Sequence, residues 1–137
     1  MEDVIADGSA LEKLKEMVRA QGGDVAQIEH PELLPKADFV TPVVSKGTGY
    51  VRRARALELG RLAMEIGAGR ETKEDVIHPE TGIVLGKKTG DFVKSGDILA
   101  WVHHRGPLGE EWLERLYAAF EMSTEPVPEK QLIYKTL

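Results

Sequence analysis

Four histidines, at positions 30, 78, 103 and 104, are the first residues to weigh for acid–base or metal chemistry. None has a partner histidine at the helical spacing that a metal ion requires. His103 and His104 are neighbours, and adjacent strand residues point to opposite faces, so one ion would not easily take both. His30 and His78 each precede a proline and read as surface loop positions. Gly67-Ala68-Gly69-Arg70 admits an anion nest with an arginine beside it. The favoured reading is a helix end followed by a turn, where the helix dipole repels anions, because these glycines follow a helix and do not open one. Arg52-Arg53-x-Arg55 is the one basic cluster. It reads first as a solvated strand end and second as a phosphate contact. Carboxylates gather as Glu110-Glu111 and as Glu71, Glu74 and Asp75, the pattern of a solvated face. Cysteine is absent, which excludes thiol catalysis and disulfides. No phosphate-cradling glycine motif occurs, and no Ser-His-Asp set can be argued from order alone. The residues alone therefore name no catalytic, cofactor-binding or metal-binding position, and no cofactor.

The elements that would carry these residues are marked by periodicity and punctuation. Ser9 and Glu12 have capping-box spacing. Ala10, Leu11, Leu14, Met17 and Val18 then form one apolar helical stripe. Gln21-Gly22-Gly23-Asp24 ends that helix. The linker from Ile28 to Lys36 holds Pro31 and Pro35 and is expected to be extended. Phe39 to Val44 is β-branched, and its Pro42 predicts an edge strand or a bulge. Gly47-Thr48-Gly49 turns into a second strand at Tyr50-Val51-Arg52. Leu59, Leu62, Ala63 and Ile66 give a second helix one apolar face. Gly60 within it suggests close backbone packing. Gly82 to Leu85 and Ile98 to Val102 read as short strands, with tight turns at Gly86, Gly90-Asp91 and Gly96-Asp97. Pro107 is the expected first residue of a third helix, with Glu110 and Glu111 near its positive end. Leu113, Leu116, Tyr117 and Phe120 form its stripe. Trp101 and Trp112 read as core. A last strand is expected at Leu132-Ile133-Tyr134. No internal repeat is evident.

The 137 residues suffice for one domain with a real core. A net charge of −5 argues against a nucleic-acid partner, which a basic face would favour. No run of about 18 apolar residues exists, so no membrane span is expected. Met1-Glu2-Asp3 is acidic and carries no apolar signal core, and together with the missing cysteines this points to the cytoplasm.

Many of these signals, in this order, resemble the C-terminal part of the pyrimidine-nucleoside phosphorylases, the family that includes thymidine phosphorylase. Asp7-Gly8-x-Ala10-Leu11 and Ala20-Gln21-Gly22-Gly23-Asp24 are similar to the last helix of that family's α/β domain. Gly49-Tyr50-Val51, Leu59-Gly60, Gly67-Ala68-Gly69-Arg70, Gly82-Ile83, Gly90-Asp91-x-Val93-x-x-Gly96-Asp97 and Ile133-Tyr134 resemble its C-terminal domain. His78 stands where the family usually has aspartate, and Thr81 where valine is usual; both changes bear on local packing.

The resemblance implies an α+β fold, a hammerhead-like mixed or antiparallel β unit flanked by helices. It divides the chain into residues 1–36, the end of the α/β domain, and residues 37–137, the C-terminal domain. It implies phosphorolysis for the whole enzyme: phosphate attacks the anomeric carbon of a pyrimidine nucleoside and releases the base and a pentose 1-phosphate. The phosphate cradle and base-binding residues of the family lie upstream, so no catalytic role carries over to any residue here. The implied partners are the rest of a phosphorylase chain, phosphate, a pyrimidine nucleoside and a second copy of the full enzyme. One alternative is a biotinyl or lipoyl carrier, because Gly90 to Leu99 resembles that turn-and-strand pattern. Ala100 to Arg105 lacks the lysine that carriers present on a hairpin tip. The other alternative is a free-standing interaction domain.

Overall fold

The computed structural model describes residues 2–70 and 72–128, and the expected strand at Leu132-Ile133-Tyr134 lies outside them. The chain divides into two compact units, Met1–Pro35 and Lys36–Leu137.

The first unit is helical. α1 (Glu2–Ala6) reverses at Gly8 (φ 79°) into α2 (Ser9–Ala20). The expected capping box between Ser9 and Glu12 does not form. The Ser9 backbone N–H donates to the Asp7 carboxylate (2.8 Å), and the Ser9 hydroxyl donates to the Val4 carbonyl (3.4 Å). Because α1 precedes, a carboxylate two residues upstream takes over the cap, and Glu12 pairs with Lys15 instead (2.8 Å). At the other end Gly23 N–H reaches the Val18 carbonyl (2.9 Å) and Gly22 N–H that of Arg19 (3.1 Å). Those two bonds close a Schellman turn where the glycine pair predicts it. The linker is less extended than expected. α3 (Ala26–Glu29) and a 3-10 turn (Pro31–Leu33) occupy much of it. Of the residues before the prolines, Leu34 (φ −62°, ψ 143°) is extended and His30 (φ −130°, ψ 75°) lies outside the helical region, as sterics demand. Pro31 itself suits the first position of a helical turn, which the extended reading overlooked.

The second unit is α+β, as the sequence implies. β1 (Phe39–Val44), β2 (Gly49–Ala54), α4 (Ala56–Ala63), β3 (Gly82–Leu85), β4 (Phe92–Val93), β5 (Ile98–His104), α5 (Glu110–Ala118) and β6 (Phe120–Ser123) follow in order. The strands form two three-stranded sheets, β1-β5-β3 and β4-β2-β6, antiparallel throughout. Pro42 lies on edge strand β1 next to a bulge at Val43/Val44, where its missing donor costs nothing. Val43 and Val102 from one sheet, Val51 and Val93 from the other, and Leu62 and Leu116 from α4 and α5 are fully buried together. Arg115 of α5 braces α4 by donating to Glu58 (2.9 Å) and Glu65 (2.8 Å).

One local device occurs twice. Lys88-Thr89-Gly90-Asp91 and Lys94-Ser95-Gly96-Asp97 are turns of the same build. In each, the aspartate N–H bonds the lysine carbonyl (3.1 and 3.0 Å) and its carboxylate accepts the lysine N–H (2.8 and 3.0 Å). The glycines have φ of 97° and 91°, where a side chain would strain the turn. The first turn then pairs with Val51 and the second with Ser45, both through 2.8 and 2.9 Å or shorter backbone bonds. A six-residue repeat of turns is thus present where the sequence reading found none, too short to register as a repeated domain.

Several expectations are corrected. Gly60 is not closely packed; a Cβ there would meet no atom within 4 Å. Pro107 lies outside α5, which begins at Glu110 after an extended Gly109, because the intervening residues turn the chain out of β5. Phe120 is buried but belongs to β6, where it pairs with Ala54. Trp112 packs on the core and donates to the Leu62 carbonyl (3.3 Å). Trp101 does not; Ala100 and Val102 take the inward positions of β5, so Trp101 faces out and covers Gly86.

Candidate functional site

β5 carries His103 and His104 on opposite faces. His104 is buried, stacks on Phe39 with ring centroids 5.5 Å apart, and uses both nitrogens. Nδ1 lies 2.5 Å from the Gly106 carbonyl, so it must donate there; Nε2, 2.8 Å from the Thr41 hydroxyl, is then the acceptor in the neutral ring. Neither nitrogen is free for proton transfer.

His78 is half-buried, unlike the exposed His30, so the surface-loop reading holds for one of the pair. α4 widens over Met64–Ala68 and ends at Gly67 (φ 101°). His78 N–H donates to the Gly67 carbonyl (2.8 Å), and its ring covers that glycine; a Cβ there would lie 2.9 Å from the imidazole. Arg105 Nη1 donates to His78 Nδ1 (2.9 Å), and Arg105 Nε lies 3.7 Å from Glu80 and 3.9 Å from Asp38. A hollow of about 330 Å³ opens beside His78, His104, Arg105 and Leu108. Its imidazoles are engaged and Glu65 is held by Arg115. Among the described residues lining it no nucleophile faces an unengaged base, and the group clasps the end of α4 to the end of β5. The Gly67-to-Arg70 stretch is accordingly a helix end filled by His78.

A second hollow, of about 290 Å³, is lined by Arg53, Arg55, Ala56, Leu57, Glu58 and Arg61. The basic cluster of the sequence contributes two of its three arginines. Arg61 comes from α4, one turn after Leu57, and was not singled out from sequence; the i,i+4 spacing from Leu57 was the available signal. Arg105 was missed likewise, and nothing in its local sequence pairs it with His78.

Among the described residues no three histidine, aspartate or glutamate side chains gather as a metal ion would need. No described helix is long and apolar enough to cross a membrane. The stretch that a carrier would fold into a lysine-bearing tip runs here as the continuous strand β5.

Residues 50–123, more than half of the chain, match the family model described as the pyrimidine nucleoside phosphorylase C-terminal domain. The chain belongs to this family. It is 38% identical over 134 residues to a pyrimidine-nucleoside phosphorylase of Geobacillus stearothermophilus, covering 98% of this chain and 31% of the relative. A protein of the same name from Staphylococcus haemolyticus is 39% identical over 125 residues, 91% of this chain and 29% of its own. One from Staphylococcus aureus is 37% identical over 135 residues, 98% and 31%. The chain therefore spans about a third of the length of these curated relatives.

Within the phosphorylase domain His78 and Thr81 touch one another. The Thr81 hydroxyl donates to the His78 carbonyl (2.9 Å), and Thr81 N–H bonds the same oxygen (3.0 Å). Burying Thr81 costs little because its hydroxyl is satisfied. The bond uses the backbone of His78, so it places no demand on the side chain at that position.

Proposed function

We propose that this chain is the C-terminal portion of a pyrimidine-nucleoside phosphorylase. Residues 1–36 form the end of its α/β domain and residues 37–137 its C-terminal domain. The observation that carries this reading is the breadth of the match, nearly all of this chain against only the final-domain share of each relative. The whole enzyme cleaves a pyrimidine nucleoside with phosphate to give the base and a pentose 1-phosphate. This portion completes the larger lobe that closes over substrate and is catalytically silent alone. Catalysis of this kind needs positioned phosphate, nucleoside and donors for the departing base, which the family carries upstream. The partners are the remainder of a phosphorylase chain, the two substrates, and a second copy of the full enzyme in the cytoplasm.

The test compares this chain alone with a chimaera in which it replaces the matching C-terminal third of the Geobacillus stearothermophilus relative. Uracil and thymine release is followed by chromatography, with and without phosphate. The chimaera should release base only with phosphate, and the isolated chain should release none. Phosphate-dependent release by the isolated chain would place the active site here and overturn the silent role. A folded chimaera that binds nucleosides yet never cleaves them would overturn the functional assignment.

A further inference from the structure

The arginine hollow is not explained by the phosphorylase reading. Arg53 lies near the end of β2, beside a bulge at Arg52, and Arg55 follows the strand as the residue before α4; both line the hollow. Arg61 joins them from α4. Of the neighbouring carboxylates, one pairs with Arg55 of this set and the other with Arg115. Glu121 lies 3.2 Å from Arg55 Nε, and Glu58 accepts from Arg115 (2.9 Å). Among the described residues neither the Arg53 nor the Arg61 side chain has a hydrogen bond or ion pair. Arg55 is thus offset by Glu121, whereas Arg53 and Arg61 bring to the hollow two positive charges that an anion there would offset.

The chemistry of the lining selects the anion. Guanidinium forks match phosphate oxygens bidentately and hold their charge at every physiological pH. At about 290 Å³ the hollow lies just below the usual range of small-ligand pockets, so it suits a small phosphorylated molecule. The net charge of −5 disfavours a nucleic-acid backbone as the source of the phosphate. We propose that Arg53, Arg55 and Arg61 form a binding site for a small soluble phosphomonoester. Ala56 and Leu57, at the start of α4, line the same hollow, so their amides report its occupancy.

The experiment is an amide NMR titration of the full chain with inorganic phosphate and, separately, glycerol 3-phosphate. Ionic strength is held constant with sodium chloride. Both ligands should give saturable shifts centred on Ala56, Leu57 and Glu58. The R53A/R61A double variant should weaken binding by about tenfold or more, the loss expected for removing charge-assisted bonds. R70Q, outside the hollow, should bind as the unaltered chain does. A thermal melt of each variant separates lost binding from lost folding; if the double variant does not fold, R61Q alone is read in its place. Shifts that do not saturate, or that persist in the folded arginine variant, overturn the proposal. Sedimentation with phosphatidic-acid vesicles, without any response to the soluble ligands, would assign the arginines to a lipid surface and also overturn it. No readout requires base release, so this site and the phosphorylase reading fail separately.

Discussion

The two units spend their apolar residues differently. α2 presents a regular stripe, yet Leu11, Leu14 and Met17 are 48%, 41% and 51% exposed, and no described residue of the first unit is buried. In the second unit the buried apolar residues, apart from Ala119 between α5 and β6, come from strands or helices packed against elements distant in sequence, as Val102 pairs with Thr41 and Ile83. The lesson is that an amphipathic pattern specifies an element and its face, whereas burial requires a second surface. The first unit is held by local bonds: the Asp7 cap, the Schellman turn, and the Lys15 contacts with Glu12 and Glu29 (3.2 Å). The second is held by a shared core.

That contrast is broken most directly by truncating one leucine in each unit. Leu62→Ala should cost about 2–5 kcal/mol, because a fully buried side chain leaves a cavity among packed neighbours. Leu14→Ala should stay within about 0.5 kcal/mol, as exposed substitutions do. Urea unfolding of both variants decides it, and equal losses would show that the stripe is as buried in solution as the core.

A smaller effect sharpens the account of the second unit. Gly60 lies within α4, and a Cβ there meets nothing. Gly60→Ala should therefore raise the unfolding free energy by roughly 1 kcal/mol through helix propensity. A loss of stability in the same unfolding assay would mean that something approaches this helix closely after all.

The smallest effect concerns the local bonds of the first unit. The Ser9 hydroxyl, which can turn from the Val4 carbonyl to the Asp7 carboxylate, and then the Ser9 backbone N–H hold the Asp7 carboxyl below its ordinary value of 3.8. A depressed carboxylate contributes stability that is present above that ordinary value and is lost as pH falls through the lower folded value. Helical content by circular dichroism should thus decline modestly below pH 3.8, and Asp7→Asn should remove that part of the decline. An identical acid profile in the variant would show that Asp7 does not cap α2.

Local chemistry was legible wherever a few consecutive residues settle the backbone. The glycine–aspartate turns, the end of α2, the edge position of Pro42 and the stripe of α4 all follow from such short-range rules. The order of those signals also carried the family. The capping box failed because a helix precedes Ser9, and Phe120 was read as helix because it falls at i+7 of the α5 stripe, although the helix ends two residues before it. Only the tertiary structure turned Trp101 outward, since strand alternation has two phases and the core chose the one that buries Ala100 and Val102. Only it set Arg105 against His78 and Arg61 beside Arg53, pairs separated by 27 and by 8 residues. Such encounters depend on how paired strands and packed helices bring remote positions together, and no spacing along a single chain encodes that.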